Sequence, residues 1–199
     1  SADSIANTAN LGDNVTYTVA SIETTKTADD LQTLINEAES GATIDLTESY
    51  DINAKVTVPE GKSVTLTSSN GSVLKGTSGY MFDVPATAGL TLGEGLTAMV
   101  RNTRLVESAG TFTLAGADVT GGSAGMNQGV IHITDGGKFN MNGGNISGAY
   151  VTDQYAGTVL LSEGAEMTMT GGTISKNNAE DQPNSGAGVT VCQGASFTM

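Results

Sequence analysis

Residues 139–148 read FNMNGGNISG, and residues 167–177 read MTMTGGTISKN. The two stretches start 28 positions apart (167 − 139) and share one pattern: apolar-x-apolar, a polar residue, Gly-Gly, a polar residue, then Ile-Ser. An apolar-x-apolar pair is the period-two signature of a strand with one buried face. Gly-Gly supplies a sharp bend, because glycine reaches positive φ at no steric cost. The isoleucine beyond it begins a further short strand. One pattern therefore encodes strand, corner and strand, and its recurrence sends the next stretch of chain along the same path.

The same frame extends outward. VIHITDGGKFNM (130–141), TVLLSEGAEMTM (158–169) and GVTVCQGASFTM (188–199) align without gaps. Ile133, Leu161 and Val191 are followed six residues later by Phe139, Met167 and Phe197, and two beyond those by Met141, Met169 and Met199. Earlier in the chain, Val58, Val84 and Val106 lead in the same way to Val64, Leu90 and Phe112, then to Leu66, Leu92 and Leu114. An earlier pair, Ile44 and Leu46, is read as the start of the first coil. A third strand follows at Val119, Ile146 and Ile174, each 13 residues after the first inward position. Three short strands per repeat of 20–30 residues describe a solenoid. The expected fold is all-β: a parallel β-helix of about six to seven coils, stacked at about 4.8 Å. Phe then lies on Met, Met on Met and Ile on Ile.

The N-terminal region is patterned differently. TKTADDLQTLINEAESG (25–41) predicts an amphipathic helix, with Leu31, Leu34, Ile35 and Ala38 on one face. Thr27 and Asp30 form an acidic variant of a capping box, and Gly41 is the expected stop. A helix in this place would cover the open end of the core. VTYTVASI (15–22) alternates and predicts a strand near the cap. The division is therefore 1–41, N-terminal segment and capping helix, and 42–199, β-helix. The chain stops at Met199 where earlier units run on into Gly-Gly-x-Ile-Ser, so a fragment of a longer solenoid is expected. It begins at Ser1 without Met, which points to a removed signal or upstream segment.

Composition excludes several functions. Net charge is −13, from 21 acidic and 8 basic residues, with no Lys/Arg cluster, so nucleic acid is not an expected partner. No apolar run of about 18 residues stands in the sequence, so no membrane insertion is expected. Cys192 is the single cysteine and His132 the single histidine, which leaves no disulfide framework and no Cys- or His-based metal site. The Gly-Gly pairs at 143–144 and 171–172 are not followed by GK[ST] or a helix pattern, so they read as corners and not as a phosphate cradle. No metal or cofactor is expected.

With those residues set out, the chain resembles the pectin-lyase-like right-handed β-helices. ADDLQTLINEAESGATIDL (28–46) resembles their helical cap and first coil. The F-x-M-x-G-G-x-I-S coils at 139–147 and 167–175 resemble repeats of large bacterial surface proteins described as adhesin-like. The resemblance covers about residues 28–199. It implies an extracellular, bacterial cell-surface location, and contact with a host surface glycan, a protein or matrix. On this fold it also admits polysaccharide lyases and glycoside hydrolases, and a passive stalk without a ligand.

Catalysis by such an enzyme needs two carboxylates on one groove, or a calcium site beside a basic residue. Asp118, Asp135, Glu163 and Glu166 are the candidates, with Asp135 and Glu163 at equivalent corners of successive coils. More often such residues are solvated corners, and no catalytic residue is assigned. Arg101 and Arg104 lie in TAMVRNTRLV, the worst-fitting stretch. There Arg104 falls at the inward position held elsewhere by Val56, Phe82, Ile131, Val159 and Val189, which predicts a bulge. His132 is expected to face outward in the column of Thr57, Asp83, Leu105, Leu160 and Thr190, as a surface strand residue with no Ser-His-Asp grouping around it. Cys192 reads as a small corner filler. The strongest candidate for ligand contact is an outward ladder between the apolar pairs: Thr65, Thr91, Thr113, Asn140, Thr168 and Thr198. Stacked, these give a flat hydroxyl and amide array suited to glycans or ordered water.

Overall fold

A computed structural model describes residues 25–134, 136–179 and 186–199. The expected strand at 15–22 lies outside them. The chain winds into a parallel β-solenoid of about six turns. Among the described residues every strand pairing is parallel, and each strand lies beside its counterparts one coil away. One sheet of six strands contributes one strand per coil, from Val56–Thr57 at one end to Gly186–Val191 at the other. A second sheet of twelve strands covers two faces, because Thr111–Gly121 and Lys138–Ser147 run unbroken around a corner. A three-stranded sheet, Ser123–Ala124, Tyr150–Val151 and Asn178–Ala179, lines a further corner of the later coils.

The columns follow the apolar pattern. Val64 pairs with Leu90, Leu90 with Phe112, Phe112 with Phe139, Phe139 with Met167, and Met167 with Phe197. Phe112 and Phe139 are fully buried, and their rings stack with centroids 5.3 Å apart and planes 21° apart. Val119, Ile146 and Ile174 form the expected third column. The Gly-Gly corners need glycine at their second position. Gly144 and Gly172 have φ of 83° and 89°. A Cβ on Gly144 would strike the Ala117 carbonyl oxygen, and one on Gly172 would lie 2.7 Å from the Gly144 carbonyl oxygen.

Two registers differ from the sequence reading, each by two residues. In the first coil, Ala42 and Ile44, not Ile44 and Leu46, pair with Val64 and Leu66; buried Leu46 follows the strand end. In the fourth coil, Val106 sits in the Phe82–Ile131 column and Ser108 takes the place expected for Val106 beside Val84 and Ile133. The cause is a short corner. Ser108 and Thr111 are separated only by Ala109 and Gly110, whereas Val84 and Gly89 are separated by residues 85–88. A Cβ on Gly110 would collide with the carbonyl oxygens of Pro85 and Ala88, so the tight path requires glycine there. Ser108 Oγ is left buried with no hydrogen-bond partner among the described residues.

The helix spans Ala28–Glu37. Thr27 Oγ1 accepts the Asp30 amide, and Asp30 accepts the Thr27 amide at 2.8 Å, completing the capping box. Leu31 and Ile35 are fully buried over the end of the core, joined by Ala28, while Leu34 emerges at 36% exposure. Gly41 does not stop the helix. Ala38 leaves it in an extended conformation (φ −63°, ψ 143°), and Lys62 from the next coil donates to the carbonyls of Ile35, Asn36 and Ala38 at 3.1, 2.8 and 2.7 Å. That ammonium sits where the helix dipole is negative. Gln32 closes the edge of the six-stranded sheet: its side-chain amide donates to Thr57 O at 2.8 Å and accepts Thr57 N at 2.7 Å. A side chain thus occupies the place of a neighbouring strand.

Candidate functional sites: a threonine ladder and a polar seam

The expected ladder forms on one face of the twelve-stranded sheet. Thr65 pairs with Thr91, Thr91 with Thr113, Thr113 with Asn140, Asn140 with Thr168, and Thr168 with Thr198. Thr43 adds a rung beyond Thr65. The face is low beside Thr91 because glycines flank that rung: a Cβ on Gly89 would lie 2.7 Å from Ser63 Oγ, and one on Gly93 would lie 2.8 Å from Thr67 Cγ2. Parallel pairing puts successive hydroxyls about 4.8 Å apart. Each threonine carries one donor and two acceptor sites. The array is uncharged, although Lys138 and Glu166 form an exposed ion pair at 3.0 Å beside it. The sheet brings all six expected residues into one line.

The opposite polar feature lies on the six-stranded sheet. Its outward column is Thr57, Asp83, Glu107, His132, Leu160 and Thr190. Glu107 replaces the expected Leu105, as the two-residue slip requires. Arg104 is not inward. It pairs with Tyr80, lies over the Tyr80 ring at 4.9 Å, and holds Glu107 Oε2 through Nη1 at 2.9 Å. Lys55 approaches the same ring at 5.3 Å and bonds to Asp83 at 2.9 Å. The bonds to Asp83 and then to Tyr80 raise the Lys55 ammonium above its usual value.

His132 faces outward as expected, but it is not a bare surface residue: its side chain is 13% exposed. Its Nε2 lies 3.0 Å from Ser162 Oγ, and its Nδ1 lies 3.7 Å from Glu107 Oε2. Three consecutive coils thus bring a carboxylate, an imidazole and a hydroxyl together, where the sequence reading found no such grouping. The Glu107–His132 and His132–Ser162 separations of 25 and 30 positions, each about one coil, were the available signal. The slipped register around Arg104 concealed it.

The other candidates do not converge. Asp118 accepts from Asn145 Nδ2 at 2.7 Å, and Glu166 is held by Lys138. Glu163 is exposed in a turn, and Asp135 lies outside the described residues. Cys192 is half-buried at the equivalent corner one coil after Ser162. Among the described residues no group of three His, Cys, Asp or Glu side chains is placed to hold a metal ion. No helix among them is long and apolar enough to cross a membrane. Compared with protein-family models, curated proteins and solved structures, the chain matches none.

Proposed function

We propose that this chain is a binding segment of a bacterial cell-surface, adhesin-like protein, and that its ladder face makes non-catalytic contact with a host glycan, protein or matrix ligand. The observation that carries the reading is the in-register Thr/Asn column running the length of the solenoid. A rigid sheet holds its hydroxyls at fixed spacing, so a repetitive polyhydroxyl ligand meets several of them without ordering costs on the protein side. Affinity then comes from many weak contacts along one line, as multivalent recognition allows. The resemblance of the cap, the first coil and the GGxIS coils to pectin-lyase-like and adhesin-like proteins supports the same reading, including the extracellular location.

The test is a glycan array with a matrix-protein pull-down, run on the wild-type chain and on a Thr91→Glu/Thr113→Glu variant. Retention by a surface ligand that the double variant loses supports the reading. No retention by any ligand, or retention that the variant keeps, overturns it and leaves the passive stalk. A polysaccharide lyase or hydrolase is less well supported, because Asp118 and Glu166 are engaged by separate partners on different parts of the surface.

A further inference from the structure

We infer that Ser162 is a nucleophile, activated by His132 with Glu107 behind the imidazole, in a site that accepts and hydrolyses neutral carboxylic esters. This goes beyond the ladder reading and uses the other sheet.

Ser162 opens the turn Ser162–Ala165, closed by a bond from Ala165 N to Ser162 O at 3.0 Å. Its own amide donates to Ile133 O at 2.9 Å, so its backbone is fixed from both sides. Thr134 and Cys192 begin the equivalent turns one coil before and one coil after. Position, then, does not distinguish Ser162; the imidazole does. The outward residue diagonal to Thr134 is Glu107, and the one diagonal to Cys192 is Leu160, while Ser162 meets His132.

The relay has the connectivity required of a serine hydrolase: hydroxyl to one imidazole nitrogen, carboxylate facing the other. When Nε2 accepts the Ser162 proton, the neutral ring carries its own proton on Nδ1, toward Glu107. Strand pairing of Glu107 with His132 fixes the column, and Arg104 anchors the carboxylate at 2.9 Å. The cost of that anchor is a weaker pull on the imidazole, so Glu107 acts chiefly as a positioning residue.

In the first step Ser162 Oγ bonds to the acyl carbon while its proton passes to His132 Nε2. The imidazolium returns that proton to the departing alkoxide, which leaves as an alcohol. Water then attacks acyl-Ser162 by the same route, His132 taking its proton. The carboxylic acid leaves and Ser162 regains its hydrogen. Water is the only co-reactant. Glu163 stands next to the nucleophile and the chain carries net charge −13, so anionic acyl groups are repelled and neutral ones favoured.

The experiment exposes the full chain to a fluorophosphonate probe and to p-nitrophenyl acetate, with peptide mapping of any adduct. One adduct on Ser162 is expected, at a rate that rises with pH through a single titration, since a general base must shed its proton to act. Ser162→Ala abolishes it, and His132→Gln slows it by about 10²-fold or more, the usual contribution of a general base. Glu107→Gln shifts the pH profile, which a purely structural carboxylate would not do. Thr134→Ala leaves the rate unchanged. No adduct on the wild-type chain, an adduct spread over several residues, or a flat pH profile overturns the inference. The wild-type profile decides even where a variant fails to fold.

Discussion

Truncating Phe139 to alanine removes a fully buried ring held between Phe112 and Met167 in one column. A buried Phe→Ala change costs about 3–5 kcal/mol in transfer and cavity terms. Of this, about 0.5–1.5 kcal/mol belongs to the ring pair, given the 5.3 Å centroid separation with Phe112. In a solenoid each coil leans only on its neighbours, so damage to a middle coil weakens two interfaces at once. The assay is equilibrium urea unfolding followed by circular dichroism. A urea slope of about 1–3 kcal/mol/M converts about 4 kcal/mol into a midpoint shift on the order of 1–4 M. A double-mutant cycle with Phe112→Ala isolates the pair and should return a coupling of about 1 kcal/mol. A loss under about 1 kcal/mol, or strict additivity of the two truncations, would refute the stacked column. A lowered slope would show instead that the coils had ceased to unfold together.

Four smaller predictions follow from other features. Ser108→Ala deletes a buried hydroxyl without a partner among the described residues and should stabilise the fold by about 1 kcal/mol, read as a raised urea midpoint. Lys62→Met strips three donated bonds from the helix C-terminus and should cost about 1–2 kcal/mol by the same measurement. Gly144→Ala forces a Cβ against the Ala117 carbonyl at positive φ and should cost at least about 1–2 kcal/mol; a neutral result would mean that the corner is not the one described. The Thr27 amide and hydroxyl hold the Asp30 carboxyl below its ordinary value of 3.8. Because that folded value is depressed, its contribution is complete above the ordinary value and is lost as pH falls through the folded one. Asp30→Asn should therefore be less stable than wild type at neutral pH, with the gap closing in acid-unfolding curves below about pH 4.

Much of this architecture is legible because burial alternates with period two. The columns of Phe139, Met141 and Ile146 and the capping box at Thr27 follow directly from that pattern and from local hydrogen-bonding chemistry. The register errors share one cause. A slip of one residue turns a strand inside out and betrays itself, but a slip of two leaves every apolar residue on its proper side. The hydrophobic pattern therefore could not detect the two-residue corner at Ala109–Gly110, and Leu105 and Val106 are both buried in any case. The consequence fell on the polar residues. Arg104 was read as inward and Glu107 was never placed beside His132, so the seam stayed hidden while the ladder, on the evenly spaced face, did not. The helix stop was missed for another reason: its carbonyls are satisfied by Lys62, a full coil away, and no local signal encodes a long-range donor.

The Gln32 amide carries a consequence for the protein's solution behaviour. Thr57 belongs to a strand whose exposed rim would otherwise template any passing extended chain, and a β-solenoid rim is already shaped like the growing tip of an amyloid fibre. One side chain, held in place by a ten-residue helix, occupies the peptide groups of Thr57 that an incoming strand would need. Losing that helix to proteolysis would do more than destabilise a monomer; it would bare the Thr57 peptide groups as an unpaired strand edge.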